Sequence, residues 1–235
     1  MQESKIRLPD LWPPEGAPAA GGAEHEILRK AIELFGRRGY GGTSTRSIAA
    51  EASVTAPLIG YHFGNKEGLF HACADVVMLT TTEAILETDL DGADLRSIVR
   101  HFAQVHLDIA REYSVGLRFV LALAYGPEEG QPVVDLVGYW RPVIRWLAVR
   151  IHRAVESGEL EVRPGATPER LMRYLFNLVH MDVMSTYEEQ RFLAADPALF
   201  EMLREDGTDR VDDLVEQFFA GAGVLHDSSP EESNR

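Results

Sequence analysis

Catalysis needs an activated nucleophile, a placed acid–base pair or a set of metal ligands. The chain offers none of these at a recognisable spacing. It has no HExxH, no CxxC and no Glu-x-x-His pair, so zincin and di-iron signatures are absent. Gly36 to Gly42 is glycine-rich but follows a helical stretch rather than a strand, so it reads as a turn and not a dinucleotide loop. Cys73 stands alone, which leaves packing or a redox thiol as its readings. No catalytic residue, no metal ligand and no cofactor is expected. A different chemistry crowds into Thr43 to Lys66, TSTRSIAAEASVTAPLIGYHFGNK. Ser44 and Thr45 bring hydroxyls, Tyr61 a phenol, His62 an imidazole and Lys66 an ammonium. All of these donate well to phosphate oxygens. Arg46 brings a planar guanidinium that suits a bidentate contact to guanine.

The whole-chain charge argues against such a role at first sight. The 235 residues carry 23 Lys+Arg against 37 Asp+Glu, a net −14. Within residues 23–67, however, Arg29, Lys30, Arg37, Arg38, Arg46 and Lys66 face Glu24, Glu26, Glu33, Glu51 and Glu67, which leaves +1. The other residues hold −15. Their acidity repels polyanions and confines any such contact to the small segment. A hydrophobic fraction of 45% is ample for a core. A single cysteine, no apolar leader and no apolar run of about 18 residues predict a cytoplasmic protein.

These donors must be held by helices, because apolar residues recur with helical period almost throughout and no convincing strand is seen. Residues 1–22 read as a flexible arm broken by Pro9, Pro13, Pro14 and Pro18. Ala23 to Arg38 is a helix with Ile27, Ala31, Leu34 and Phe35 on one face, closed by Gly39. Ser44 caps a short helix from Thr45 to about Ala52. Ser53-Val54 breaks it, Thr55 caps a third helix ending near Phe63, and Pro57 sits in its first turn. Further helices are expected over Lys66–Glu87, Leu95–Glu112, Val115–Ala124, Gln131–Ser157 with a kink at Pro142, Pro168–Leu193, a short turn at Pro197–Leu203, and Arg210–Ala220. Residues 226–235 read as a disordered tail.

The order and spacing of Phe35, Gly39-Tyr40, Thr45 to Ala49, Val54, Tyr61-His62-Phe63 and Asn65-Lys66-Glu67 resemble the DNA-binding domain of TetR-family transcriptional regulators. The resemblance covers roughly residues 24–72. It implies an all-α fold: a three-helix helix-turn-helix domain over 23–70, and a larger helical ligand-binding and dimerisation domain over 71–225. It implies a DNA contact set of Ser44, Thr45, Arg46, Thr55, Ala56, Pro57, Leu58, Gly60, Tyr61, His62 and Lys66. The third helix then enters the major groove. The sequence departs from the family pattern there. Ala56, Pro57, Leu58 and Gly60 have no polar side chain, and Gly60 replaces a common tyrosine. Selectivity then rests on Arg46, on contacts of Ala56 and Leu58 to thymine methyls, and on DNA shape. His62 alternatively caps the helix end.

The resemblance further implies a homodimer on a palindromic, double-stranded operator, a repressor released by a small-molecule inducer, and no membrane partner. Aromatic, His and Met residues on the long helices are the pocket candidates. They are Phe102, His106, Phe119, Tyr125, Trp140, Trp146, Phe176, His180, Met181, Met184 and Tyr187. Leu171, Leu175, Leu178, Leu214, Phe218 and Phe219 make a stripe that builds either the chain's own core or an intersubunit four-helix bundle. The alternative to a regulator is a helical protein-binding adaptor that has lost sequence-specific DNA binding.

Overall fold

The computed structural model describes residues 7–12, 21–88, 90–126, 130–195 and 210–225, without the side chains of 186–195 and 223–225. Among the described residues the chain is all-α apart from one antiparallel pair of three-residue strands. It divides into two compact units: Met1–Glu87 with Asp108–Trp140, and Thr88–Leu107 with Arg141–Arg235.

The first unit contains α1 (Leu8–Leu11), α2 (Ala23–Arg38), α3 (Thr45–Glu51), α4 (Ala56–Phe63), α5 (Lys66–Leu86) and α7 (Ser114–Tyr125), plus the end of α6 (Leu95–Glu112). Each main boundary has a local cause. Gly39 at φ 68° closes α2, with its N–H on the Phe35 carbonyl at 2.9 Å. Thr43 is buried, and its hydroxyl donates to the Gly39 carbonyl at 2.9 Å, which locks the turn into α3. Ser44 Oγ accepts from the Ser47 N–H at 3.0 Å, while Ser47 Oγ accepts from the Ser44 N–H at 3.1 Å. The core is aromatic: Phe70 meets Phe35 edge-on at 5.1 Å, Phe119 at 5.4 Å and Tyr40 at 5.0 Å. Gly36 lets α7 come close, because a Cβ there would lie 3.1 Å from the Phe119 backbone nitrogen.

One expectation is corrected in this unit. Prolines were expected to keep residues 1–22 out of helix, yet Leu8–Leu11 is one short helical turn with Leu8 and Leu11 buried. Pro9 sits in its first turn, where a helix needs no N–H. The Leu8 N–H donates to Thr80 Oγ1 at 3.0 Å, and Arg7 pairs with Glu83 at 2.8 Å and Glu87 at 3.0 Å. Helix α5 is long and apolar enough to cross a membrane by length and composition alone. Its Leu69, Phe70, Cys73, Ala74, Val76 and Val77 are instead interior to this unit. Burial pushes the Cys73 thiol well above its ordinary pKa, so little reactive thiolate forms.

The second unit holds α6 up to Leu107, α8 (Leu136–Glu156) from Arg141, β1 (Leu160–Val162), α9 (Pro168–Ala195), α10 (Arg210–Ala222) and β2 (Gly223–Leu225). The expectation of no strand is corrected by β1 and β2, which pair Leu160 with Leu225 and Val162 with Gly223. The helix expected from Gln131 begins at Leu136. Pro132 disfavours helix at Gln131, and Asp135 instead caps the start by accepting the Gly138 N–H at 2.9 Å. Asp94 and Thr167 cap α6 and α9 in the same way. Arg210 Nε donates to Asp182 at 2.7 Å, tying α10 to α9. The turn expected at Pro197–Leu203 and the tail 226–235 lie outside the described residues.

Candidate nucleic-acid interface

Helices α3 and α4 are joined by a tight turn. Ser53 takes a left-handed φ of 54° there, and the Val54 N–H returns to the Ala49 carbonyl at 2.9 Å. This is a helix-turn-helix. Ile48, Ala49 and Ile59 are buried beneath it, with Val54, Ala56, Leu58 and Phe63 packed half-buried on the same core. Pro57, Gly60 and Tyr61 share the solvent face of α4 at i, i+3 and i+4. Tyr61 is 82% exposed, so its phenol projects into solvent.

The cations separate sharply. Arg29 and Lys30 are held by Glu26 and Glu33 on their own helix. Arg37 and Arg38 flank Glu51 at 3.9 and 3.6 Å. Lys66 sits in the first turn of α5 with its ammonium 3.8 Å above the Tyr40 ring. Partial burial lowers its pKa. Arg46, in the first turn of α3, is exposed and has no ion pair among the described residues. It is therefore the guanidinium of this segment still available to an outside acceptor.

Several expected donors prove to be engaged. The Ser44 hydroxyl is spent on the α3 cap and on Ser47 Oγ at 3.2 Å. Thr55 occupies the α4 cap position in extended backbone, but its side chain makes no capping bond, which corrects the capping role expected of it and leaves its exposed hydroxyl to solvent. His62 lies beside the Tyr61 ring at 5.2 Å, with Nδ1 4.0 Å from Glu24. Thr45 is half-buried at the start of α3. The pairing of Arg37 and Arg38 with Glu51 and of Lys66 with Tyr40 carried no local sequence signal, because each joins different elements.

Gly60 is a helical glycine with open space around the position of a Cβ. Nothing in the fold requires it. Gly60→Ala is expected to stabilise the protein by about 1 kcal/mol, read from urea melts, because glycine is the weaker helix former. A destabilisation would show that α4 needs glycine for packing.

The pocket candidates are divided between the two units. Phe119 is in the aromatic core of the first unit, which removes it from any cavity, and Tyr125 is 68% exposed. Trp140 is half-buried in that unit. In the second unit, Phe102 meets His106 at 4.3 Å and Phe176 at 5.0 Å. His180 is exposed nearby on α9, Met181 is 66% exposed and Met184 is half-buried. Trp146 lies on α8 under Arg150, and the Tyr187 side chain is outside the described residues. His106 Nδ1 lies 2.6 Å from the Phe102 carbonyl, which fixes the proton there as donor. Burial, aided by His180 and His101, brings His106 down to about 4 against the opposing pull of that carbonyl.

A histidine depressed below its unfolded value contributes stability that is complete above about 6.5 and is lost as pH falls toward 4. Urea melts at pH 7 and pH 5 are expected to show this loss, and His106→Gln to flatten it. An unchanged pH dependence in that variant would contradict the assignment.

The stripe named as core or intersubunit bundle packs largely within the single chain. Leu171, Leu175, Leu214, Phe218 and Phe219 are already buried within the single chain, and Leu178 is half-buried. They build the α9–α10 core. Tyr174, stacked on Phe218 at 6.0 Å, closes that core from outside.

The fold and this face define a helix-turn-helix protein with a helical second unit. Residues 27–73 match the family of bacterial regulatory proteins, tetR family. It is 51% identical over 55 residues to the HTH-type transcriptional regulatory protein RaaS of Mycobacterium tuberculosis, a match over 23% of this chain and 26% of that protein. The chain covers about a quarter of the length of the curated relatives it matches. Similarity of fold extends further. FadR from Bacillus subtilis, solved with stearoyl-CoA, aligns with TM-score 0.58 at 17% identity over 83% of this chain and 97% of that one. AibR, solved with isovaleryl coenzyme A and operator DNA, aligns with TM-score 0.55 at 17% identity over 87% and 100%.

Proposed function

We propose that this chain is a dimeric, ligand-responsive transcriptional regulator that binds a palindromic DNA operator and is released from it by a small-molecule inducer. The observation that carries the reading is Arg46, exposed in the first turn of α3 and without an ion pair among the described residues, in a tetR-type helix-turn-helix. α4 lies in the major groove, and Arg46 takes a guanine edge. Tyr61 and the Thr55 hydroxyl hold phosphates. Residues 23–70 do the reading, and residues 71–225 bind ligand and dimerise. The protein acts by binding rather than catalysis, in the cytoplasm.

Two copies meet through α9 and α10, with Tyr174 and Met181 exposed on α9. Two half-sites about one DNA turn apart then multiply a weak single contact. The inducer binds in the second unit beside Phe102, His106 and Phe176 and shifts the population between two half-site spacings. The AibR structure supports a ligand and an operator acting on one such fold. Reciprocity follows: operator must weaken inducer binding by the factor by which inducer weakens operator binding.

Footprinting on DNA flanking the protein's own gene tests the reading. A protected site with two-fold symmetry is expected. Absence of binding at low salt would overturn it in favour of a protein-binding adaptor.

A further inference from the structure

One surface lies outside this scheme. Residues 141–153 of α8 carry Arg141, Arg145, Arg150 and Arg153 without a single carboxylate, in a chain of net −14. The inner face of the helix is spent on the second unit's core, where Val143, Leu147 and Ile151 are fully buried. The outer face forms a shallow open groove of about 400 Å³, lined by Arg141, Pro142, Arg145, Trp146, Val149 and Arg150.

Its lining has an order. Pro142, Trp146 and Val149 recur at i, i+4 and i+7 and make an apolar stripe, with Val149 42% exposed. Arg141 and Arg145 run beside them one turn apart, both exposed and without an ion pair among the described residues. Arg150 closes the other side. Its guanidinium lies 4.3 Å over the Trp146 ring and 3.4 Å from Asp91, a carboxylate that is almost wholly in water. Two exposed guanidiniums with no ion pair among the described residues therefore stand beside an apolar stripe, and so offer bidentate anion donors next to a hydrophobic surface.

We propose that this groove binds a soluble phosphate ester with a flat apolar body. The phosphate bridges Arg141 and Arg145, and the apolar body lies on Pro142, Trp146 and Val149. Charge complementarity selects the anion, and the apolar stripe requires an apolar group joined to it. The volume is that of a small-molecule site. An anionic bilayer is disfavoured because the rest of the chain repels it. The proposal does not depend on DNA binding and uses none of the residues on α3 or α4.

The test uses the full chain and 1-naphthyl phosphate, followed by isothermal titration. Binding is expected to weaken with salt and to exceed that of 1-naphthol or inorganic phosphate, the two halves of the probe. Arg141→Ala with Arg145→Ala is expected to lower affinity about tenfold or more. Trp146→Phe with both arginines intact retains the apolar floor and is expected to bind within a few-fold of wild type. Equal affinity in the double arginine variant, or naphthol binding as tightly as its phosphate, would overturn the proposal. So would co-sedimentation with phosphatidylglycerol vesicles without binding of the free ester. A change of oligomeric mass in Arg141→Glu/Arg145→Glu would assign the groove to a second copy of the chain instead.

Discussion

Phe35→Ala is expected to cost about 3–5 kcal/mol of unfolding free energy, the largest effect of any single substitution considered. Phe35 is fully buried at the inner end of α2, against Phe70 at 5.1 Å, Tyr40 at 5.9 Å and Phe119 at 6.4 Å. Removing it leaves a cavity the surroundings cannot close. α2 and α7 already touch at backbone distance through Gly36, so neither helix can move inward. The three remaining rings are fixed by contacts with each other. Urea melts of the whole chain read the effect, and a loss below about 1 kcal/mol would show that the cluster is not the core of the unit.

Leu8→Ala is expected to cost about 2–5 kcal/mol, although Leu8 lies in a segment whose sequence looks like a loose arm. Its side chain is fully buried, and the Gly116 position on α7 lies directly against it, so that a Cβ there would be 3.1 Å from a Leu8 methyl. Its N–H is bound to Thr80 Oγ1, which itself donates to the Val76 carbonyl at 2.6 Å. The segment therefore braces α5 as well as filling the core. A flexible arm predicts a change within about 0.5 kcal/mol. The two outcomes are well separated in a denaturant melt.

This contrast shows what was legible in the sequence. α2 and α6 could be read to their ends, because an apolar stripe and local caps such as Gly39 specify them together. The turn between α3 and α4 could also be read, since its spacing is local. α1 could not, because two leucines in four residues are buried only by partners distant in sequence, on α2, α5 and α7. The Leu175 and Phe218 stripe could be read as apolar but not as internal, because periodicity does not say which surface covers a face. The pairing of Arg37 and Arg38 with Glu51 also depends on tertiary approach. Counting charges in residues 23–67 therefore overstated the number of available cations, and the structure narrows them to Arg46. That narrowing sharpens the functional claim, because one side chain now carries most of the expected base discrimination.

The most direct test compares wild type and Arg46→Ala on the footprinted site and on random duplex at one fixed salt concentration. Arg46 is exposed and outside the core, so the variant is expected to melt like wild type. Its preference for the site over random DNA is expected to fall by about 1–3 kcal/mol per half-site, while random binding changes little. An unchanged preference in the variant would contradict the assignment of the α3–α4 face as the surface that reads DNA.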